Sequence, residues 1–148
     1  MNSLGKGPSP EYTVFTPHSS RIGSVLLTVS HVITNWVVRD KLGAIKYDRG
    51  FIRVTTTGHY FIYSQMYYND ARTHVMAHHT YINNEKVMES VGSAIFDSTK
   101  DNTRYHGGVF LLRVNDTISV RIPFIRHYNM KSDASFFGAF LLYPGETP

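Results

Sequence analysis

Apolar residues alternate with polar ones along several short segments of the 148-residue chain. Nowhere does the 3.6-residue apolar period of an amphipathic helix continue over a dozen residues. Clusters of Asn, Asp and Gly separate the segments, and several short strands at this spacing are typical of an antiparallel sandwich or barrel. The predicted strands are Leu26–Ile33, Phe51–Val54, His59–Tyr68, His74–Ile82, Val109–Leu112, Thr117–Ile122 and Ser135–Leu142.

Two kinds of strand occur in this pattern. Thr117–Ile122 alternates cleanly, which is typical of a strand with one face on the core and one in water. Residues 59–68, 109–112 and 136–142 are instead largely apolar on both faces. A sandwich has one interior, so the second apolar face needs another cover, and we predict oligomerisation through one whole sheet. The alternative is that these aromatics only reflect high β-propensity.

Composition argues against several functional classes. The chain has no Cys, which excludes a disulfide framework, a thiolate zinc site and a cysteine nucleophile. Its net charge is +4, but the basic residues are scattered and form no nucleic-acid-binding motif, so no nucleic-acid partner is predicted. No apolar run approaches the roughly 20 residues of a membrane span. Catalytic and phosphate-binding motifs are also missing, and we predict neither an enzyme nor a cofactor.

The first 20 residues differ in composition from the rest of the chain. They are rich in Gly, Pro, Ser and Thr and show no sustained period or signal-peptide centre. We predict a flexible lead-in or an expression remnant over residues 1–20 and one globular domain over residues 21–148.

Eight histidines raise the possibility of a metal site. On a strand, His74 and His78 would share a face but lie roughly 13 Å apart at the usual rise per residue. That distance is too long for two ligands of one zinc ion. His79 would point to the opposite face. We therefore predict no metal site and assign these histidines to a surface or an interface.

A glycosylation sequon, Asn115-Asp116-Thr117, falls in a predicted hairpin turn. Turns are exposed, so Asn115 is a candidate glycosylation site if the protein passes through a secretory pathway. The same residues also favour a turn without any glycan.

Several segments resemble strands of one known family in the same order. These are Gly58–Tyr68 (GHYFIYSQMYY), which resembles the central strand, and Ser30–Asn35, His74–Thr80, Tyr105–Leu112, Thr117–Ile122 and Phe136–Leu142. The family is that of the tumour necrosis factor ligands, and the resemblance covers roughly residues 25–143. It implies a two-sheet antiparallel jelly-roll sandwich that assembles as a homotrimer and clusters cysteine-rich receptors.

The resemblance also implies a location and a trimer face. Family ligands are usually type II membrane proteins, so the chain would be a secreted or shed extracellular domain with any membrane anchor upstream. The residues implied to face the threefold axis are Phe61, Tyr63, Gln65, Tyr105, Val109, Phe136, Phe140 and Leu142. The resemblance also implies that residues on the opposite face of these strands fill the core; these are Tyr60, Ile62, Phe110, Phe137 and Leu141.

Receptors of the family bind in grooves between protomers, which implies three receptor-binding loops. Their residues are Arg39, Asp40, Lys41, Asn83, Asn84, Glu85, Lys86, Arg126, His127 and Tyr128. The chain departs from many members in lacking Cys, in the short loop Asn83–Lys86 without a Tyr, and in the short connection Trp36–Gly50. These departures resemble ectodysplasin-like and invertebrate-type ligands.

Two other functions are compatible with a jelly roll. A complement-type globular head shares the fold and the trimer but normally follows a Gly-X-Y stalk, and residues 1–20 show no such period. A carbohydrate-binding or viral-capsid jelly roll is the second alternative. Binding to a cysteine-rich receptor, without sugar binding, would distinguish the ligand from both.

Overall fold

A computed structural model describes residues 12–17, 31–40, 43–68, 75–93, 102–123, 128–129 and 133–147. Its strands are β1 (Tyr12–Pro17), β2 (His31–Val32), β3 (Trp36–Asp40), β4 (Ile45–Asp48), β5 (Phe51–Val54), β6 (Gly58–Tyr68), β7 (Val75–Ile82), β8 (Glu85–Ser93), β9 (Asn102–Leu112), β10 (Thr117–Ile122), β11 (Tyr128–Asn129) and β12 (Phe136–Pro144). The described ranges contain no helix that is long and apolar enough to cross a membrane.

The described strands form two antiparallel sheets. In the first, named the β6 sheet, β6 pairs with β9, β11 and β12, and the sheet continues from β12 through β1 to β3. The second, named the β10 sheet, has the order β4-β5-β10-β7-β8, with β2 also paired to β10. Strands β5 to β7 and β8 to β10 alternate between the sheets, as in a jelly roll, whereas β4 and β5, and β7 and β8, lie within one sheet. The predicted all-β, two-sheet architecture is confirmed.

The hydrophobic core lies between the two sheets and follows the predicted parity. Tyr60, Ile62 and Phe137 are fully buried, and Phe110 and Leu141 pack against the core while partly buried. From the β10 sheet, Ile52, Val54, Ile118, Val120 and Ile122 point into the same interior. The period-two pattern therefore predicted the inward side chains of β5 and β10, and the family resemblance those of β6, β9 and β12.

Strand boundaries agree best where the sequence alternates. β5 and β10 match the predicted Phe51–Val54 and Thr117–Ile122, and β6 and β7 each differ by one residue at the start. β9 begins at Asn102 rather than at Val109, because the polar residues before Gly107 continue its pairing with β6.

Three segments expected to be loops or lead-in contain strands. Tyr12–Pro17, within the predicted lead-in, is β1 and pairs with β12 and β3, so that part of the prediction is wrong. The connection Trp36–Gly50 contains both β3 and β4. Only Asn83 and Asn84 form the loop after β7, since Glu85 and Lys86 already belong to β8. In each case pairing with a neighbouring strand stabilises a strand that the local sequence does not predict.

Candidate functional site

The outer face of the β6 sheet carries a continuous surface of aromatic side chains. Phe61 lies in register between Phe140 of β12 and Val109 of β9, and its ring centroid is 5.4 Å from that of Phe140. Tyr63 contacts Phe61 at 6.1 Å and Phe136 at 6.2 Å between ring centroids. These separations are typical of favourable aromatic pairs. The surface is named the aromatic face.

The predicted trimer-face residues are brought together here. In register, Gln65 lies between Phe136 and Tyr105, and Tyr105 and Val109 are 53% and 52% exposed. Leu142, 43% exposed, lies at the β12 irregularity between Leu141 and Tyr143. Large apolar side chains exposed together on one sheet mark an interaction surface. Their role in a trimer remains a prediction.

Two details of the aromatic face were not foreseen. His59 and Tyr143 stack with ring centroids 4.6 Å apart and extend the face beyond Phe61. The parity of β6 places His59 on this side and was the signal that could have included it. Gln65 donates from Nε2 to the Ala134 carbonyl oxygen at 3.0 Å, so its side chain also fixes the segment that enters β12.

Phe61 also explains one of the two consecutive glycines in β9. A Cβ added at Gly107 would lie 2.9 Å from Phe61 Cζ and from the Tyr105 hydroxyl oxygen. A glycine inside a strand often marks a close approach of this kind, here by the side chains of Phe61 and Tyr105. A side chain at this position would collide with the Phe61 ring.

The turn between β7 and β8 is held by hydrogen bonds to the turn between β9 and β10. Asn83 donates from Nδ2 to Asp116 Oδ1 at 3.0 Å and accepts from the Thr117 backbone N–H at 3.0 Å. Its backbone N–H donates to the Thr117 carbonyl at 2.7 Å, and its own carbonyl accepts from Arg121. Asn83 has a φ of +54°, which Asn tolerates better than most residues. Asn83 therefore connects two turns.

Mutation of Asn83 tests this structural role. We expect Asn83→Ala to lower the free energy of unfolding by about 1–2 kcal/mol, because Asp116 and Thr117 lose their partner. The positive φ adds about 1 kcal/mol for a residue with an ordinary Cβ. Thermal unfolding measures the effect, and Asn84→Ala, at the neighbouring exposed position of the same turn, is the matched control. Equal melting temperatures for both variants would contradict the role.

The other predicted receptor-binding residues lie in different settings. Arg39 and Asp40 lie in β3, so the expected loop begins only after them, and Lys41 lies outside the described residues. Lys86 forms a salt bridge with Glu89, whose hydrogen bond raises the pKa of Lys86 and lowers that of Glu89. Both side chains lie on the surface.

The third predicted loop is described only in part. Tyr128 lies in β11, opposite Tyr68 of β6, whereas Arg126 and His127 lie outside the described residues.

Two of the candidate segments lie at opposite ends of the sandwich. β6 starts at Gly58, beside the β9–β10 turn that binds Asn83, and ends at Tyr68, which pairs with Tyr128. We name these the Asn83 end and the Tyr128 end. At about 3.3 Å per residue, β6 separates them by roughly 33 Å.

Asn115 lies in the exposed turn between β9 and β10 at the Asn83 end. Its φ is +75°, its backbone N–H donates to the Val54 carbonyl at 2.8 Å, and its side chain is exposed. The predicted turn is therefore confirmed. In the folded chain, the Thr117 hydroxyl of the sequon lies 3.4 Å from Asn83 Oδ1.

The histidines form no metal centre among the described residues. There, no three His, Cys, Asp or Glu side chains come close enough together to hold an ion. His74 lies outside the described residues, and His79 faces outward from the β10 sheet beside Glu89, at 3.5 Å. His78, for which a surface or interface role was expected, is fully buried, so that expectation is wrong.

Comparison with known proteins identifies the family. The sequence matches the TNF (Tumour Necrosis Factor) family over residues 34–142, which is more than half of the chain. The chain belongs to this family. The ligand hypothesis is thereby favoured over the complement-type head and the carbohydrate-binding or capsid modules. TNF-family ligands are non-enzymatic cytokines, which is consistent with the absence of catalytic motifs.

Solved structures support the TNF-like jelly roll. The crystal structure of murine APRIL at pH 8.0 has a TM-score of 0.75 and 21% identity, over 90% of this chain and 100% of that one. The structure of Eiger TNF from S. frugiperda has a TM-score of 0.76 and 23% identity, over 94% of this chain and 96% of that one. At these identities the likeness shows the fold. No curated protein sequence matches the chain significantly.

Proposed function

We propose that this cytokine-like TNF-family protein assembles as a homotrimer through the aromatic face and clusters cysteine-rich receptors. The observation that carries the proposal is the ring surface around Phe61, Tyr63 and Phe140, which no described element covers. Three copies around a closed cyclic axis would bury the same patch of every protomer. Burial of apolar area of this kind is the main driving force of association.

The grooves between adjacent protomers are the proposed receptor sites. Candidate contacts lie at both the Asn83 end and the Tyr128 end, roughly 33 Å apart along β6. A receptor that reaches both ends must therefore be elongated and lie along the groove. Tyr128 at the Tyr128 end, and Arg126 of the same predicted loop, are of residue types enriched at binding hot spots.

The proposed location is extracellular, as a secreted or shed domain or behind an upstream membrane anchor. In that setting Asn115 is the proposed glycosylation site, since its side chain is exposed in a turn of the sequon Asn-Asp-Thr. The glycan would project from the Asn83 end, away from the middle of the aromatic face.

Titration with a receptor tests the groove assignment. A panel of cysteine-rich receptor ectodomains is first screened by pull-down with the purified protein. We then expect calorimetry to give three monomeric ectodomains per trimer, since symmetry makes three equal grooves. Arg126→Glu, a charge reversal in the third predicted loop, should weaken binding about tenfold or more and leave the trimer mass unchanged.

The matched control is Lys46→Glu, which reverses an exposed charge on β4 in the other sheet. It should bind like the wild type. One receptor per trimer would contradict the groove assignment, as would full affinity in variants of all three predicted loops.

A further inference from the structure

A polar cluster lies inside the sandwich where the edges of the two sheets meet. Among the described strands, β8 pairs only with β7 and β9 only with β6, so these two are edge strands. They also contact each other across the interior. The side chains that meet there come from β6, β7, β8 and β9; the histidine cluster consists of Ser64, His78, Thr80, Ser90 and His106.

His106 is the link between the sheets. It projects inward from β9, and its Nε2 lies 2.7 Å from the Thr80 hydroxyl oxygen on β7. Its Nδ1 lies 2.8 Å from the Ser90 hydroxyl oxygen on β8. His78 stacks on the His106 ring with centroids 4.5 Å apart and planes 24° apart, and it is hydrogen-bonded to the backbone of Ser64.

The charged groups around the cluster would not compensate an added proton. His79 and Glu89, 3.5 Å apart, lie on the outer face of the β10 sheet. On the β9 side, Arg104 lies against β8, since a Cβ at Gly92 would be 3.0 Å from Arg104 Nε. Among the described residues, no carboxylate lines the interior beside the two rings. A cation there would be desolvated, and two cations would repel each other across 4.5 Å.

We infer that the histidine cluster is an acid-sensitive latch, in which protonation of His78 or His106 separates β8 from β9 and frees these edge strands from their hydrogen-bonded partners β7 and β6. Burial lowers the pKa of His78 well below 6.5. Burial, with His79 as a second cause, lowers the pKa of His106 to about 4. In the opened state both rings are in water and titrate near 6.5.

The direction of the pH effect follows from these shifts. The closed edge binds fewer protons than the open one, so its stability is complete above pH 6.5 and is lost as the pH falls towards 4. Each histidine changes the opening equilibrium by up to about tenfold per pH unit, or about thirtyfold between neutral pH and pH 5. β9 also carries Tyr105 and Val109 on its other face, so opening would loosen the proposed trimer; that consequence rests on the proposed function, whereas the latch does not.

Hydrogen exchange by mass spectrometry tests the latch on the whole protein at pH 7.5 and pH 5.0, with intrinsic rates corrected. We expect the protection factors of β8 and β9 peptides to be about thirtyfold or more lower at pH 5.0 than at pH 7.5. The protection factors of β4 and β5 peptides should be unchanged. The double variant His78→Phe, His106→Gln retains a ring and a hydrogen-bonding amide but has nothing to protonate. Its β8 and β9 protection should be equal at both pH values.

Three results would overturn the latch: unchanged β8 and β9 protection in the wild type at pH 5.0, equal loss in the double variant, or equal loss in β4 and β5. If the double variant does not fold, NMR titration of the wild-type histidines replaces it. There, His78 or His106 titrating near 6.5 with β8 and β9 protection intact would also overturn the proposal. Light scattering on the same samples reports the trimer separately, so a monomeric protein would refute the proposed assembly and leave the exchange result interpretable.

Discussion

Tyr63→Ala is expected to abolish the trimer. The Tyr63 ring contacts Phe61, Phe136 and Phe140, and it is flanked in register by Gly107 and Gly138, which leave space beside it on both neighbouring strands. In the proposed assembly, three copies of this ring meet at the axis. Removal of a large buried aromatic costs on the order of 3–5 kcal/mol per site, and symmetry changes all three sites together. We expect dissociation or loss of folding.

Light scattering at micromolar concentration measures this effect, with thermal unfolding in parallel. Tyr81→Ala is the matched control, since Tyr81 is a partly buried tyrosine on the outer face of the opposite sheet, where Arg121 stacks 4.1 Å from its ring centroid. The control should retain the trimer mass. A Tyr63→Ala protein with wild-type mass and melting temperature would refute the placement of Tyr63 at the axis, and a monomeric wild type would refute the assembly itself.

Phe137→Ala is expected to destabilise the protomer itself. Phe137 is fully buried and contacts Trp36 at 4.6 Å between ring centroids. Truncation leaves a cavity between the sheets and should lower the free energy of unfolding by about 3–5 kcal/mol. The total free energy of unfolding of native proteins is about 5–15 kcal/mol, so this loss is a large fraction of it.

Urea unfolding followed by tryptophan fluorescence measures this loss directly, because the chain has a single tryptophan and it touches the mutated side chain. Phe51→Ala, which removes a partly exposed phenylalanine from the outer face of β5, is the control and should shift the midpoint much less. Equal midpoints for Phe137→Ala and the wild type would show that the site collapses without a cavity.

Alternation predicted the part of the fold that local sequence determines. Thr117–Ile122 and Phe51–Val54 were predicted to the residue, because each has one apolar face and one polar face. β8 was missed, since an edge strand rich in charged residues has no apolar period of its own and is ordered by pairing with β7. β1 was missed because it lies within the Gly-, Pro-, Ser- and Thr-rich first 20 residues, and because it is ordered by pairing with β12, more than 120 residues later in the chain.

The sequence predicted the candidate site only in part, as it did the fold. Parity placed Phe61 and Tyr63 on the same face of β6, the family resemblance indicated that this face is the outer one, and the structure adds which rings meet. The role of Asn83 was not predictable, because Asp116 and Thr117 reach it only through tertiary folding. The same holds for His106, whose partners Thr80 and Ser90 belong to the other sheet.

The direction of β1 determines which end of the sandwich would face a membrane to which the N-terminal side of the domain was anchored. β1 runs antiparallel to β12, with Tyr12 opposite Phe140 and Phe15 opposite Phe137, so β1 starts on the side of the Asn83 end and runs towards the Tyr128 end. β12 finishes at the Asn83 end, where Pro144 pairs with Gly58. On a cell surface, an N-terminal anchor would therefore hold the Asn83 end towards the bilayer and present the Tyr128 end to the opposing cell. A receptor arriving from that cell would meet β11 first.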